Sequence, residues 1–363
     1  MKEETMLDLD AYQNFSAFDP QGMLNHIAGL PQQCAEAWKE IQGLALPDSY
    51  QQVDQVVILG MGGSAIGGDL LRCLLLEECS LPIIVHRDYG VPAFVDQRTL
   101  VIACSYSGNT EETLSGFEEA LRRGAKLLSI ATGGELAQRT RAHGLPLYLY
   151  HYKTQPRAAL GYAFMSLLGI VQRLGLVSDK SADVAEAITV MRQWQEEIRE
   201  TVPAPENAAK SLAQKLYGRM PVVYGAEHLS EVARRWKGQF NENAKTWAFF
   251  DVLPELCHNS VVGYPAPSDL PQHVHVVMLV SSLNHPRVQM RFEIVRDLLH
   301  RDGLSFDIIE ARGRSKLAQM LSAVHFGDYV AFYLAMLYQV DPWSIGNINF
   351  VKKRLSETQA DCQ

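Results

Sequence analysis

Two short stretches of this chain have residue types and spacing suited to holding an anion. In ILGMGGSAIGGDLL, Ile58 to Leu71, five glycines and one serine lie between an apolar run and a helix-like stretch. In CSYSGNTEET, Cys104 to Thr113, the apolar run RTLVIA leads into Ser105, Ser107 and Thr110. These three hydroxyls stand beside the free N–H groups of a helix start, where the helix dipole also favours negative charge. Several ligands share that chemistry. Gly60, Gly62 and Ala65 fit the G-x-G-x-x-G/A dinucleotide pattern, and Asp88 closes the next apolar run where a ribose-binding acid would sit. The segment Gly63 to Gly68 is followed by Asp69 rather than by the Lys-Ser/Thr of a P-loop, which argues against a nucleotide triphosphatase. Three hydroxyls at one strand end suit a single phosphate monoester gripped from several sides. The plain structural alternative is that Ser107 and Thr110 only cap the helix, with Glu112 and Thr113 in its first turn.

Positioning such loops requires strands that end beside one another. Residues 1–50 read as a helical lead-in, with apolar positions at three- and four-residue spacing broken by Pro31. From Val53 onward, short apolar runs (VDQVVILG, LPIIVHRD, RTLVIACSYSG, AKLLSIATGG, LPLYLYH) alternate with helical stretches. That alternation predicts a parallel sheet with helices on both faces. Two further helical stretches end at the proline-containing VPAPENAAK, which marks a boundary near residue 205. The alternation then restarts, and VVILGMGGSA is answered by PVVYGAEHLS. The expected fold is therefore α/β: two related, doubly wound parallel-sheet subdomains over 51–205 and 206–363, with a small-molecule site in the cleft between them.

Bulk properties narrow the partners. The 363 residues carry a net charge of −8, which leaves no basic footprint for nucleic acid. The acidic start MKEETMLDLDAYQNF lacks a signal peptide's apolar region, and no stretch approaches ~18 uninterrupted apolar residues, so no membrane is expected. Cys34, Cys73, Cys79, Cys104, Cys257 and Cys362 have no CxxC spacing, which predicts a reducing cytoplasm without disulfides or structural zinc. His273 and His275 lie at period two, on one face of a solvated strand edge, with no third metal ligand near them in sequence.

With GMGGSAIGGD and SYSGNTEET both present, the chain resembles the sugar isomerase (SIS) domain proteins, and more narrowly the bifunctional phosphoglucose/phosphomannose isomerase family. The resemblance covers nearly the whole chain, through PRAALGY at Pro156 to Tyr162, WKGQFNENAK at Trp236 to Lys245, ELCHNSVVGY at Glu255 to Tyr264, and INFVKKRL near the end. It implies two SIS (flavodoxin-like) subdomains with a C-terminal helix. It also implies a homodimer with its active site near the subunit interface, and reversible aldose–ketose isomerisation of a hexose 6-phosphate through a cis-enediol(ate), with no cofactor or metal.

The same resemblance gives the residues their roles. Glu242 is the base that moves a proton between C1 and C2. His258 opens the sugar ring, a task for an imidazole that gives and takes a proton near neutrality. Lys352 shares that step, and it is preferred over Lys353 because it follows the apolar Val351 as in the family's Leu-Lys pair. Arg157 sets a fixed positive charge beside the enediolate. Gly62, Gly63, Ser64, Ser105, Ser107 and Thr110 hold the sugar phosphate. One departure stands out: where the family shows His-Asn-Glu, this chain has His258-Asn259-Ser260, so the carboxylate next to the imidazole is missing. Two other classes compete with the isomerase. A phosphosugar-sensing SIS module lacks support, because no DNA-binding segment is added; a nicotinamide oxidoreductase rests on Gly60, Gly62 and Ala65 alone.

Overall fold

The computed structural model describes residues 6–360; Cys362 and the first five residues of the acidic start lie outside the described residues. Strands β1 (Gln55–Leu59), β2 (Ile83–His86), β3 (Thr99–Ser105), β4 (Lys126–Ala131) and β5 (Leu147–Leu149) form one sheet in the order β2-β1-β3-β4-β5. Strands β6 (Met220–Ala226), β7 (Phe249–Leu253), β8 (Val274–Val280) and β9 (Ser305–Glu310) form a second, in the order β7-β6-β8-β9. Every pairing is parallel. The central strands are continuous apolar runs, and all seven residues of β3 are buried, as a sheet covered on both faces requires. In each sheet the strand order reverses once, between β1 and β3 and between β6 and β8. Ligands of open α/β sheets bind outside the carboxyl ends of the strands at such a reversal. The two Gly/Ser stretches are the loops that leave β1 and β3, so they flank the first reversal.

The helices follow in chain order. The lead-in contains α1 (Met23–Ala28) and α2 (Leu30–Ile41); α3 (Gly62–Leu75), α4 (Glu111–Arg122) and α5 (Gly134–Ala142) clothe the first sheet. Next come α6 (Leu160–Arg173), α7 (Ser181–Ile198) and α8 (Ala208–Leu216), then α9 (Ser230–Glu242), the short α10 (Leu270–His273) and α11 (Pro286–Arg301). The chain closes with α12 (Lys316–Leu337) and α13 (Gly346–Ala360).

By length and apolar composition, α12 is the one helix among the described residues that passes the test for crossing a membrane, yet it is buried inside the fold from Leu317 to Leu337. It packs on α7, α8 and α9, so it is the core post against which the second subdomain is set. Its contact with α9 is close: a Cβ on Gly327 would lie 2.2 Å from the Trp236 ring, which is itself fully buried. Gly327→Ala is therefore expected to lower stability by roughly 1–3 kcal/mol through overpacking. Denaturant melts check this; an unchanged midpoint would mean that α9 shifts freely.

One expectation needs correction. His273 and His275 do not share a solvated strand face. His273 ends α10, exposed and 3.5 Å from Asp269. His275 is buried on β8, with Nε2 2.8 Å from Asp307 Oδ2 and Nδ1 3.0 Å from Ser305 Oγ. β8 is an inner strand, paired on both sides, so period-two spacing at its start did not mean an edge.

Candidate active site

One tyrosine ties three segments together at the carboxyl end of the first sheet. The backbone N–H of Tyr106, in the loop after β3, donates to Ser64 Oγ of α3 at 3.1 Å. Its phenol donates to the Tyr152 carbonyl at 2.6 Å and accepts the Thr154 N–H at 2.7 Å. That last segment runs directly into Arg157. Gly63 closes the arrangement from below: a Cβ there would stand 2.8 Å from the Arg157 nitrogen and from the Pro156 carbonyl carbon, so only glycine lets the two backbones meet. Ser105 Oγ lies 2.9 Å from Thr110 Oγ1 and accepts the Gly108 N–H at 3.1 Å. The exposed Ser107 accepts the Asn109 N–H at 3.2 Å. Thr110 occupies the N-cap of α4 but its side chain makes no cap hydrogen bond, so capping alone does not explain these hydroxyls.

Beside this knot, a cleft of about 280 Å³ opens between the start of α3 and α9. Gly62, Gly63 and Arg87 line one wall, Arg157 the floor, and Arg234, Arg235, Lys237, Gln239 and Glu242 the other. Five cations and one carboxylate line the cleft; Arg87, Arg234 and Arg235 are paired behind it with Asp69, Glu231 and Asp328. Arg157 is 2% exposed, and each arm of its guanidinium is assigned: Nε to Asn243 Oδ1 at 2.6 Å, one amino group to Glu242 Oε2 at 3.1 Å, the other to the Pro342 carbonyl at 2.5 Å and that of Trp343 at 3.2 Å. Burial pulls the guanidinium below its ordinary pKa, and the Glu242 charge opposes that shift. The Glu242 side chain keeps 31% of its surface and looks into the cleft.

The sequence reading missed the other cations, although their spacing shows them. Arg235, Gln239 and Glu242 recur at four and three residues, one face of α9, with Arg234 and Gly238 beside them. Arg235 is buried on Asp328 of α12 at 2.6 Å and donates to the Arg157 carbonyl at 3.1 Å; Gln239 reaches the same carboxylate at 2.8 Å. Arg87 pairs with the buried Asp69. Asp88, the residue a dinucleotide reading wants on a ribose, is exposed and accepts the N–H of Tyr89, so it is the cation before it that faces the cleft. Lys245, three residues past the end of α9, is in the left-handed region at φ +54° and folds its ammonium back onto the Glu242 carbonyl at 2.5 Å. Although Lys245 is exposed, partial desolvation of its ammonium, followed by the nearby charge of Arg157, pushes its pKa down to about 8.

Glu242, Arg157, Gly62 and Gly63 are thus brought together, and Ser64, Ser105, Ser107 and Thr110 stand in the adjoining loops. His258 and Lys352 are not brought to the cleft within this chain. His258 is exposed in the turns after β7, and Lys352 is exposed on α13. The residue after the His-Asn pair is nonetheless supplied with a carboxylate: Ser260 Oγ donates to Asp251 of β7, pinning the turn that carries His258.

A parallel α/β scaffold whose phosphate-type loops flank the strand reversal, beside a cationic cleft with one carboxylate, defines a SIS-type protein. The SIS domain family matches residues 49–146, and the bacterial phospho-glucose isomerase C-terminal SIS domain matches residues 205–355. A bifunctional phosphoglucose/phosphomannose isomerase of Caldicellulosiruptor bescii is 41% identical, over 92% of this chain and 99% of its own length. One of Aquifex aeolicus is 37% identical, over 89% and 99%. The chain belongs to the bifunctional phosphoglucose/phosphomannose isomerase family. Among solved structures, a hypothetical protein of Thermus thermophilus shares the fold at a TM-score of 0.75 and 18% identity, covering 97% of this chain and 94% of that one.

Proposed function

We propose that the protein interconverts glucose 6-phosphate and fructose 6-phosphate, and mannose 6-phosphate through the same cis-enediol(ate), using its own side chains without cofactor or metal. The observation that carries this reading is the 3.1 Å contact between the buried Arg157 and the cleft-facing Glu242, next to the hydroxyl loops. Glu242 takes the C2 proton of the opened aldose. The electron pair forms the C1–C2 double bond, and the C1 oxygen takes the negative charge beside Arg157. Return of the proton to C1, with transfer of the O2 proton to the C1 oxygen, gives the ketose. Taking the C2 proton back on the opposite face gives the other aldose epimer. Ser64, Ser105, Ser107 and Thr110, with the N–H groups at Gly62 and Gly63, hold the 6-phosphate.

His258 and Lys352 complete the site in a homodimer. What supports this is α13, which starts three residues after the Trp343 carbonyl that accepts from Arg157. It exposes Ile348, Phe350, Val351 and Leu355 at 40–66%. A lone helix of this length is marginal in water, and its apolar face calls for a second copy of the chain. We divide the chain into 51–205 and 206–363 after the lead-in. The five described cysteines are unpaired, which suits a reducing cytoplasm.

Incubation of each hexose 6-phosphate in D2O is the test. The expected result is interconversion of all three with deuterium entering at C2 of the aldoses and C1 of the ketose. Absence of both interconversion and exchange for every substrate would overturn the reading.

A further inference from the structure

The second sheet has a strand reversal of its own, and it is already occupied. The loop after β3 runs from Tyr106 to Thr110 and that after β8 from Ser281 to His285, five residues each, with Asn109 answering Asn284 and the N-caps Thr110 and His285 aligned. On the other side of each crevice, the first helical residue after the strand is left-handed: Gly62 at φ +49° and Glu227 at φ +50°. These are the positions that pair when VVILGMGGSA is laid on PVVYGAEHLS. Glycine takes this conformation without cost, whereas a glutamate there is strained and needs a compensating contact. The contact is visible: the Glu227 carboxylate accepts Asn284 Nδ2 at 2.7 Å and, with both oxygens, the His285 N–H at 3.2 Å at the start of α11.

We infer that Glu227 is a resident anion, closing the second crevice by standing where the first crevice takes the substrate's phosphate. The inference rests on the reading of the first crevice as a phosphosugar site. Beside Asn284 and Ser281 a cavity of about 510 Å³ opens between α11 and strands β8 and β9, lined by Glu293, Glu310 and Arg296. Glu227 holds Asn284 at the reversal itself, so a dianionic phosphate arriving there meets a negative charge already in place. Each chain therefore holds one phosphosugar.

The test transplants the plug. A Cβ on Gly62 meets nothing within 4 Å, so a side chain fits there. Titration calorimetry with fructose 6-phosphate should give one site per wild-type chain. Gly62→Glu should lose at least about 100-fold in affinity, and the neutral isostere Gly62→Gln, with the same bulk and strain, about tenfold. In the reverse direction, inorganic phosphate should raise the melting temperature of Glu227→Gly more than that of wild type, by filling the vacated place. Two sites per wild-type chain, Gly62→Glu binding as well as Gly62→Gln, or equal phosphate shifts in Glu227→Gly and wild type would each overturn the inference alone. A wild type that binds no hexose 6-phosphate would overturn the functional reading itself.

Discussion

Glu242→Gln is expected to leave a folded protein whose isomerase turnover falls by roughly 10³- to 10⁴-fold, the upper range for loss of a positioned base. The amide keeps the length and planarity of the carboxylate and can still accept from Arg157, so the cleft is not left with an unpartnered cation. What it cannot do is bind and return a proton. The KM for fructose 6-phosphate should therefore move little while kcat collapses, and deuterium exchange at C2 should collapse with it. A coupled assay beside circular dichroism checks both halves. Turnover within tenfold of wild type would remove Glu242 from the chemistry.

Arg157→Lys should cost roughly 10²- to 10³-fold in kcat, as expected when a preorganised donor at a developing oxyanion is lost. Charge is conserved in this variant; geometry is not. The guanidinium serves Asn243, Glu242 and the carbonyls of Pro342 and Trp343 from one plane, and an ammonium on a flexible stem cannot meet all of them. Arg157→Ala should lose stability as well, by about 1–3 kcal/mol for each buried acceptor left bare. The distinguishing result is a kcat loss in Arg157→Lys that far exceeds any change in KM, in a protein whose circular dichroism shows it folded at the assay temperature. A loss confined to KM would make Arg157 a ground-state binder instead.

The parts of the fold legible in the sequence were those set by local pattern. Continuous apolar runs such as TLVIACS announced inner parallel strands, and the glycine and serine clusters fell at their carboxyl ends, as the topology requires. What escaped depends on partners distant in sequence. FFDVL forms β7, an edge strand with only Leu253 buried, and nothing in its composition separates it from the neighbouring loops. Gly63 reads as room for a ligand, and the structure shows it also makes room for the backbone of Arg157, nearly a hundred residues on. Glu242 and Arg157 stand in separate motifs; that they touch, and that Asp328 of the core helix fixes Arg235 and Gln239 behind them, required the packing of α9 on α12. His258 and Lys352 carry motif signals as clear as the others, yet this chain alone does not gather them.

The Tyr106 hydrogen bonds tie the loop after β3 to Ser64 and to the segment that leads into Arg157. On the proposed reading, a phosphate entering between Ser64 and Thr110 would press on that loop, and tightening at the sixth carbon would be conveyed to the guanidinium beside the first two. The phosphate would then act as a remote clamp, its binding energy expressed at the barrier as well as in affinity. An unphosphorylated hexose would find the same base and the same cation, but loosely held.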